Sequence, residues 1–540
     1  MESRPLLSLP DELLLNIFGR FEPEPVPATA NSQDVSMLSI SKPHATLQAL
    51  CLTSRKCNGL TQPLLYHTPI LATYAQLFRL LRSLLGNPRL RPHLRNFAFL
   101  RSTPMSYVTY PINFDFETVW PEKTTTTEHG YQWRKAWLQA WFDRLPKRQL
   151  YVDHVIALLI ILAPRLTDIF FFGRCRHALE PLFQDAARLG ILTELQSLRF
   201  RSDRSHVWDY SPVRLPALLW PGVKQVAVIG DEGLWESNHV DHHLGMQVQE
   251  KRNQIEELKL LRSNASPSNV GHLLCRLPSL KVFEWTFQSQ EGRQTAHEQT
   301  PSTGRNEALK NASRSLETLH IESQWRYFSG HRAMSQMHGP MTEQITCLPL
   351  FTNLKELTIK FGDLFGHCSQ KRDPATLPRM STLLPQSLVR LRLIQRWYSQ
   401  PLDNMRRVER NRYLSIQMNE RWLNNIFKHL CSDRHEFQKL PNLQEFEYRV
   451  IQPARRVDTP KYTRWLSSVR KQLSAKFKSI GIAFDWTWYD HCFLCRENPW
   501  CADSPPTPES RCSSCRPNPH ANVDKVSSEF DQIIGFLTRL

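Results

Sequence analysis

Four cysteines near the end of the chain have the types and spacing best suited to chemistry. Cys492 and Cys495 form one C-x-x-C, Cys512 and Cys515 a second, and 16 residues lie between the pairs. This falls within the C-x2-C-x15–20-C-x2-C pattern of zinc sites. A two-residue spacer lets both thiolates of a pair face one ion at about 2.3 Å, and two such knuckles complete a tetrahedron. Four thiolates leave no position open for water, so the site would be structural. It would also supply folding energy to a Cys-rich segment, 485–520, whose Pro, Ser and Asn content otherwise reads as disorder. His491 and Cys501 are spare donors. Two alternatives stay open on spacing alone: a disulfide pair, and a solvated tail with unligated thiols. No other cofactor is required.

Other chemistry finds little support. The chain has no G-x-S-x-G, H-E-x-x-H, G-x-x-x-x-G-K-[ST] or G-x-G-x-x-G motif. Glycine is scarce, 19 in 540 residues, which leaves few places where backbone could approach a phosphate closely. We therefore expect a binding protein and no enzyme. The formal charge of +17 invites a nucleic-acid reading, and residues 406–478 hold 17 Lys and Arg against 7 Asp and Glu. The acids are interspersed with the bases, as on a solvated helical face, which makes nucleic acid the lesser reading but keeps a nucleic-acid or acidic-surface binder using 406–478 as the alternative. The longest apolar run, "VIALLIILA" at 155–163, is half the length of a membrane span and reads as a buried helix. The first twenty residues lack a secretory pattern. The twelve cysteines are then expected to be reduced in a cytoplasmic or nuclear protein, with the seven between Cys51 and Cys431 buried as small apolar side chains.

The elements that must position any site are announced by a hexapeptide, L-x-x-L-x-L with aromatic or β-branched substitutes. It occurs as "LRNFAF" at 94, "LTDIFF" at 166, "LQSLRF" at 195, "VKQVAV" at 223 and "IEELKL" at 255. It continues as "LKVFEW" at 280, "LETLHI" at 316, "LKELTI" at 354, "LVRLRL" at 388 and "LQEFEY" at 443. Residues four and six alternate with polar neighbours as in a half-buried strand, and the first hydrophobe anchors the bend before it. Stacked copies give a parallel sheet. The expected fold class is therefore α/β, with an irregular array of repeats over 90–480. Its units resemble leucine-rich repeats stacked as a solenoid; unrelated strands of an ordinary α/β domain are the plainer alternative. Polar tracts near 288–313 and 325–345 cannot bury enough apolar surface to offset chain entropy and are expected to be loops.

Upstream, "LPDELLLNIF" at 9–18 places Leu13, Leu14, Ile17 and Phe18 on one helical face, with Pro10, Asp11 and Glu12 suited to the helix start. After a polar, Pro-rich break, "LQALCLTSRKCNGLTQPLLYH" at 47–67 reads as two more helices with a turn at Asn58–Gly59. Three helices this short make a small core that a partner would complete. This stretch, 5–71 with a loop insertion at 22–46, resembles an F-box, the module by which substrate receptors dock onto Skp1 in SCF-type ubiquitin ligases. The opening Leu-Pro of the family falls on Leu9 and Pro10, and its basic segment on Thr53, Ser54, Arg55 and Lys56, while Cys57 replaces a common Trp. An F-box followed by leucine-rich repeats is itself a family arrangement, met among fungal proteins. A helical cap of the repeat array is the competing reading.

The resemblance implies a Skp1-like adaptor and a cullin ligase as partners, with ubiquitin transfer performed by the other subunits. Leu9, Pro10, Leu13, Leu14, Ile17, Phe18, Leu50 and Leu60 would form the adaptor surface. A protein client would be held by repeat residues that point away from the core: Arg199, Arg201, Lys259, Glu284, His320, Glu322, Thr358, Lys360, Arg392, Glu447 and Arg449. Their mixed signs favour a protein over a bare polyanion.

Overall fold

A computed structural model of the chain describes residues 9–23, 41–71, 73–100, 110–111, 136–137, 139–140, 149–150, 152–172, 182, 192–201, 222–230, 254–263, 265–289, 304–325, 344–366, 378–396, 439–453, 471 and 473–491. The strands are β1 (Ile70–Leu71), β2 (Asn96–Phe99), β3 (Tyr110–Pro111), β4 (Gln149–Leu150), β5 (Asp168–Phe172), β6 (Ser197–Arg201) and β7 (Gln225–Ile229). They continue as β8 (Glu257–Ser263), β9 (Val282–Ser289), β10 (Thr318–Trp325), β11 (Glu356–Lys360), β12 (Arg390–Arg396), β13 (Glu445–Pro453) and β14 (Ala483–His491). Strands β3 and β4 form a separate antiparallel pair. The other twelve make one parallel sheet in strict chain order.

Each of the ten hexapeptides gives one of these strands, and the register explains why the motif has its shape. Residue four of every copy aligns in one row, from Phe97 through Ile169, Leu198, Val226, Leu258, Phe283, Leu319, Leu357 and Leu391 to Phe446. That row is buried throughout, as are the leading hydrophobes from Leu94 to Leu443. Burial of both rows on one face removes the apolar side chains of every repeat from water, and neighbouring repeats complete one another's core. Between the two end strands, a single carbonyl ahead of each strand accepts two amides from the next repeat: Glu256 O takes the N–H groups of Lys281 (2.8 Å) and Val282 (2.9 Å). Lys281 O does the same for Glu317 (2.8 Å) and Thr318 (2.9 Å), and Glu317 O for Lys355 (2.8 Å) and Glu356 (3.0 Å). The bend is thereby satisfied by backbone, whatever side chain occupies it.

The helices are α1 (Asp11–Gly19), α2 (Ser41–Thr53), α3 (Arg55–His67), α4 (Tyr74–Gly86), α5 (Val152–Leu162), α6 (Pro267–Cys275), α7 (Arg305–Lys310), α8 (Phe361–Phe365) and α9 (Met380–Leu383). Helix α5 contains the long apolar run, and Val155 to Ala163 are all buried in the main core. Helix α6 approaches α7 closely at Gly271, where a Cβ would stand 3.1 Å from the Ala308 Cα.

Several expectations are corrected. The sheet runs from Ile70 to His491, wider than 90–480, because β1 and β14 extend it at both ends. The tract 288–313 is not wholly a polar loop: β9 runs to Ser289, and α7 is held by Arg305, which is buried and pairs with buried Asp363 at 3.1 Å. Asn306 adds two contacts, its Oδ1 accepting from the amides of Thr346 (2.7 Å) and Cys347 (3.0 Å). Helix α2 begins at Ser41, inside the supposed insertion. The break before α3 is at Ser54, whose hydroxyl accepts from Cys57 N at 3.1 Å, so Asn58–Gly59 lies within the helix. Of the described single cysteines, Cys57 and Cys347 are buried, Cys51 is half-buried, and Cys275 is exposed at the end of α6.

Candidate functional site

Helices α1, α2 and α3 pack around a small cluster of Leu14, Phe18 and Cys57, with Leu9, Leu50, Leu60 and Leu64 packed against it. Lys56 ties the entry of α3 to the start of α1, reaching Asp11 Oδ1 at 3.0 Å and donating to Leu9 O at 3.1 Å. This arrangement divides the predicted adaptor residues. Leu14 and Phe18 are consumed internally and are unavailable to a partner, whereas Leu13 is 50 % and Ile17 37 % exposed. Phe21 extends their stripe by a further four residues and is equally exposed; Leu15 is also exposed, and Leu52 on α2 is 88 % exposed. Leu15, Phe21 and Leu52 lie outside the predicted set, although the every-fourth-residue spacing of 13, 17 and 21 carries a signal for Phe21. Pro10 is exposed and heads α1.

A polar chain joins this helical unit to the sheet. Glu22, just beyond α1, pairs with His67 Nδ1 at the end of α3 and accepts from Thr68 Oγ1 at 3.3 Å. Thr68 Oγ1 accepts from Asn96 Nδ2 of β2 at 3.0 Å, and Thr167 Oγ1 donates to Asn96 Oδ1 at 3.1 Å. Arg95 N donates to His67 O at 3.1 Å, so backbone also crosses the junction. Nothing in the sequence patterning points to these residues.

The second candidate region is the sheet face opposite the core. Residue five of each repeat forms one row there: Ala98, Phe170, Arg199, Ala227, Lys259, Glu284, His320, Thr358, Arg392 and Glu447, continued by Asp485. Its first part is largely apolar. Ile70, Ala98, Leu100, Phe170, Ile229 and Leu261 form a buried cluster, and the Arg199 guanidinium lies 5.6 Å from the Phe170 ring centroid while meeting Asp168 at 2.5 Å. From β8 onward the face is charged and mostly self-paired. Lys259 meets Glu257 at 2.6 Å. Arg392 pairs with its cross-strand partner Glu447, which also accepts from Arg449 at 3.2 Å.

His320 is the centre of this network. Its Nδ1 lies 3.0 Å from Glu284 Oε1 on the neighbouring strand and its Nε2 3.8 Å from Glu322 Oε2. Burial alone would lower its pKa, but the two carboxylates override that and push it up to about 10, so it is an imidazolium at neutral pH. Burial would likewise raise Glu284, yet the His320 contact holds its carboxyl below the usual range.

Apart from Arg201, the predicted client residues face away from the core, but they are less available than expected. Glu322, Lys360 and Arg449 are buried, while Arg199, Lys259, Glu284, His320, Thr358, Arg392 and Glu447 are half-buried. Lateral pairing along and across strands satisfies these charges and draws them down onto the sheet. Arg201 ends β6 beside Ile229 in register. Cys492, Cys495, Cys512 and Cys515 lie outside the described residues, as does most of the basic segment 406–478. Among the described residues no group of three His, Cys, Asp or Glu side chains is arranged to hold a metal, and no helix is long and apolar enough to cross a membrane. The chain matches no protein-family model and no curated protein.

Proposed function

We propose that the chain is a substrate-recruiting F-box subunit of an SCF-type E3 ubiquitin ligase, binding a Skp1-like adaptor through α1–α3 and a protein client through a leucine-rich-repeat-like solenoid. The observation that carries this reading is the exposed stripe of Leu13, Ile17 and Phe21 beside the small buried cluster of Leu14, Phe18 and Cys57. Large apolar side chains left in water on so small a unit favour a partner. The stripe follows directly from the Leu9–Pro10 start that carries the family resemblance.

The parallel sheet in chain order supports the solenoid part. Twelve strands about 4.8 Å apart span on the order of 50 Å, enough to face a standard protein interface. Client contact falls to the least buried charges of the face, the Glu356–Arg390–Glu445 row, then to Arg392 and Lys259, and to the loops beyond the strands. Reaction chemistry is left to other subunits, so the work of this chain is to hold two partners at a fixed separation. The Glu22–His67–Thr68–Asn96–Thr167 chain suits that work, because it fastens the docking unit to the sheet. Co-expression with a Skp1-like adaptor tests the reading: a stoichiometric complex on size-exclusion chromatography is expected. A monomer beside free adaptor, together with DNA or RNA binding that weakens steeply with salt, would favour the basic-segment alternative.

A further inference from the structure

Thr68 is the point at which all three helices of the docking unit meet the sheet. It follows the last residue of α3 and stands just ahead of β1. Its hydroxyl donates to Glu22, beyond α1, at 3.3 Å and accepts from Asn96 of β2 at 3.0 Å. Its backbone takes a hydrogen bond from His44, in the first turn of α2. Thr68 is buried, 2 % exposed, so these contacts are made away from water. The two histidines at this joint have opposite surroundings. His67 faces the carboxylate of Glu22, an acceptor that accommodates a proton on the ring. His44 has no such acceptor: its Nε2 is buried and without a hydrogen-bond partner among the described residues.

A neutral imidazole suits such a position, since one ring nitrogen donates to the Thr68 carbonyl and the other keeps a lone pair. A proton on Nε2 puts a charged donor in the same place with nothing to receive it, and burying an unpaired charge is costly. We propose that the His44–Thr68 contact is an acid-sensitive latch, which holds α2 to the joint while His44 is neutral and releases it when the ring is protonated. The charged groups around the joint are engaged elsewhere or carry the wrong sign. Glu22 is held by His67 and Thr68, Arg95 pairs with Glu194, and Asp11 pairs with Lys56 at the opposite end of α1 and α3. Arg91, in the 3-10 turn Pro88–His93 that packs on α3, donates to Leu84 O at 3.0 Å. His93 in that turn and Lys42 in α2 are further cations or bases and offset nothing. Burial and the Thr68 bond therefore set the behaviour of His44, and burial prevails, so its pKa lies below the ordinary 6.5. A pKa lowered on folding gives stability that is present above about pH 6.5 and is lost as pH falls toward the folded value. The latch is a property of the fold alone. Its consequence, a docking unit that no longer holds two partners at a fixed separation, rests on the receptor reading.

The test is amide exchange on the full chain from about pH 7.5 to about pH 5, corrected for the intrinsic rate and followed in α2, in 66–71 and in β11. In wild type, opening of α2 and of 66–71 is expected to increase by up to about tenfold for each pH unit below about 6.5, while β11 stays constant. His44→Asn keeps a donor for the Thr68 carbonyl but does not titrate, so its α2 should remain protected at the acid end. Should that variant fail to fold, His67→Gln serves instead, and its α2 should open with acid as in wild type. Wild-type α2 exchange that does not vary with pH, an equal acid response in His44→Asn, or a response lost in His67→Gln would overturn the latch. Adaptor binding does not enter the measurement, so failure of the receptor reading leaves its outcome intact.

Discussion

Replacing His320 by glutamine should remove from the His320–Glu284–Glu322 cluster the cation whose titration makes it sensitive to alkaline pH. The histidine pKa is held up to about 10 by Glu284 and Glu322 against the opposing effect of burial, compared with about 6.5 in an unfolded chain. A pKa raised on folding gives stability that is fully present below the unfolded value and is lost as pH climbs through the folded one. The window is therefore about pH 6.5 to 10, with a slope approaching 1.4 kcal/mol per pH unit and a contribution on the order of 4 kcal/mol at pH 7. That figure matches the roughly 3–5 kcal/mol lost when one partner of a buried ion pair is removed. The His320 side chain is only 21 % and Glu322 0 % exposed, so solvent screening is weak. Urea unfolding followed by tryptophan fluorescence checks this, since Trp285 beside Glu284 is fully buried. The gap in midpoint between wild type and His320→Gln should be widest near pH 6.5 and should close toward pH 10. A gap that does not change with pH would refute the reasoning, because it would mean that His320 stabilises by packing and not by charge.

Further outcomes follow from the same packing. Arg305→Met leaves Asp363, 0 % exposed, without its guanidinium and should cost about 3–5 kcal/mol in urea unfolding; a loss below about 1 kcal/mol would mean that the pair is not buried in solution. Gly271→Val drives a side chain into Ala308 and should destabilise by about 1–3 kcal/mol in the same assay, with Ala308→Gly partly rescuing the variant; a neutral Gly271→Val would mean that α6 and α7 do not pack this closely. Thr73→Ala removes the reciprocal Thr73–Gln76 capping box of α4 and should cost about 1 kcal/mol, with unaltered thermal unfolding as the contrary result.

The strands were legible because each repeat must bury three hydrophobes at fixed offsets, and that demand is written into the hexapeptide. The two end strands escape the motif because they meet the same geometric demand with other residues. In β14 the anchoring position is Gly481, in a left-handed conformation (φ +80°), and Ile482 fills the core in its place. In β1 the equivalent stretch is Tyr66-His67-Thr68-Pro69-Ile70-Leu71, with proline where the first inward hydrophobe usually stands. The tract around Arg305 reads as a loop because its burial rests on a charge pair with Asp363, 58 residues away, which no local composition reveals. On the outer face, alternation located the side chains correctly. Their mutual pairing depends on strand register, however, and one sequence alone does not fix which glutamate stands opposite His320. The division of α1 into buried Leu14 and Phe18 against exposed Leu13 and Ile17 likewise depends on where α3 lies, since the apolar arc reads alike from either side.

The most direct test of the central claim is calorimetric titration of a purified Skp1-like adaptor into wild type and into Leu13→Asp/Ile17→Asp. Both positions are exposed, so the fold should be retained, with unchanged circular dichroism and melting. Tight wild-type binding weakened by about 100-fold or more in the variant is expected for two interface anchors. Equal affinity of the two proteins, or no binding by wild type, would contradict the assignment of α1 as an adaptor-docking helix.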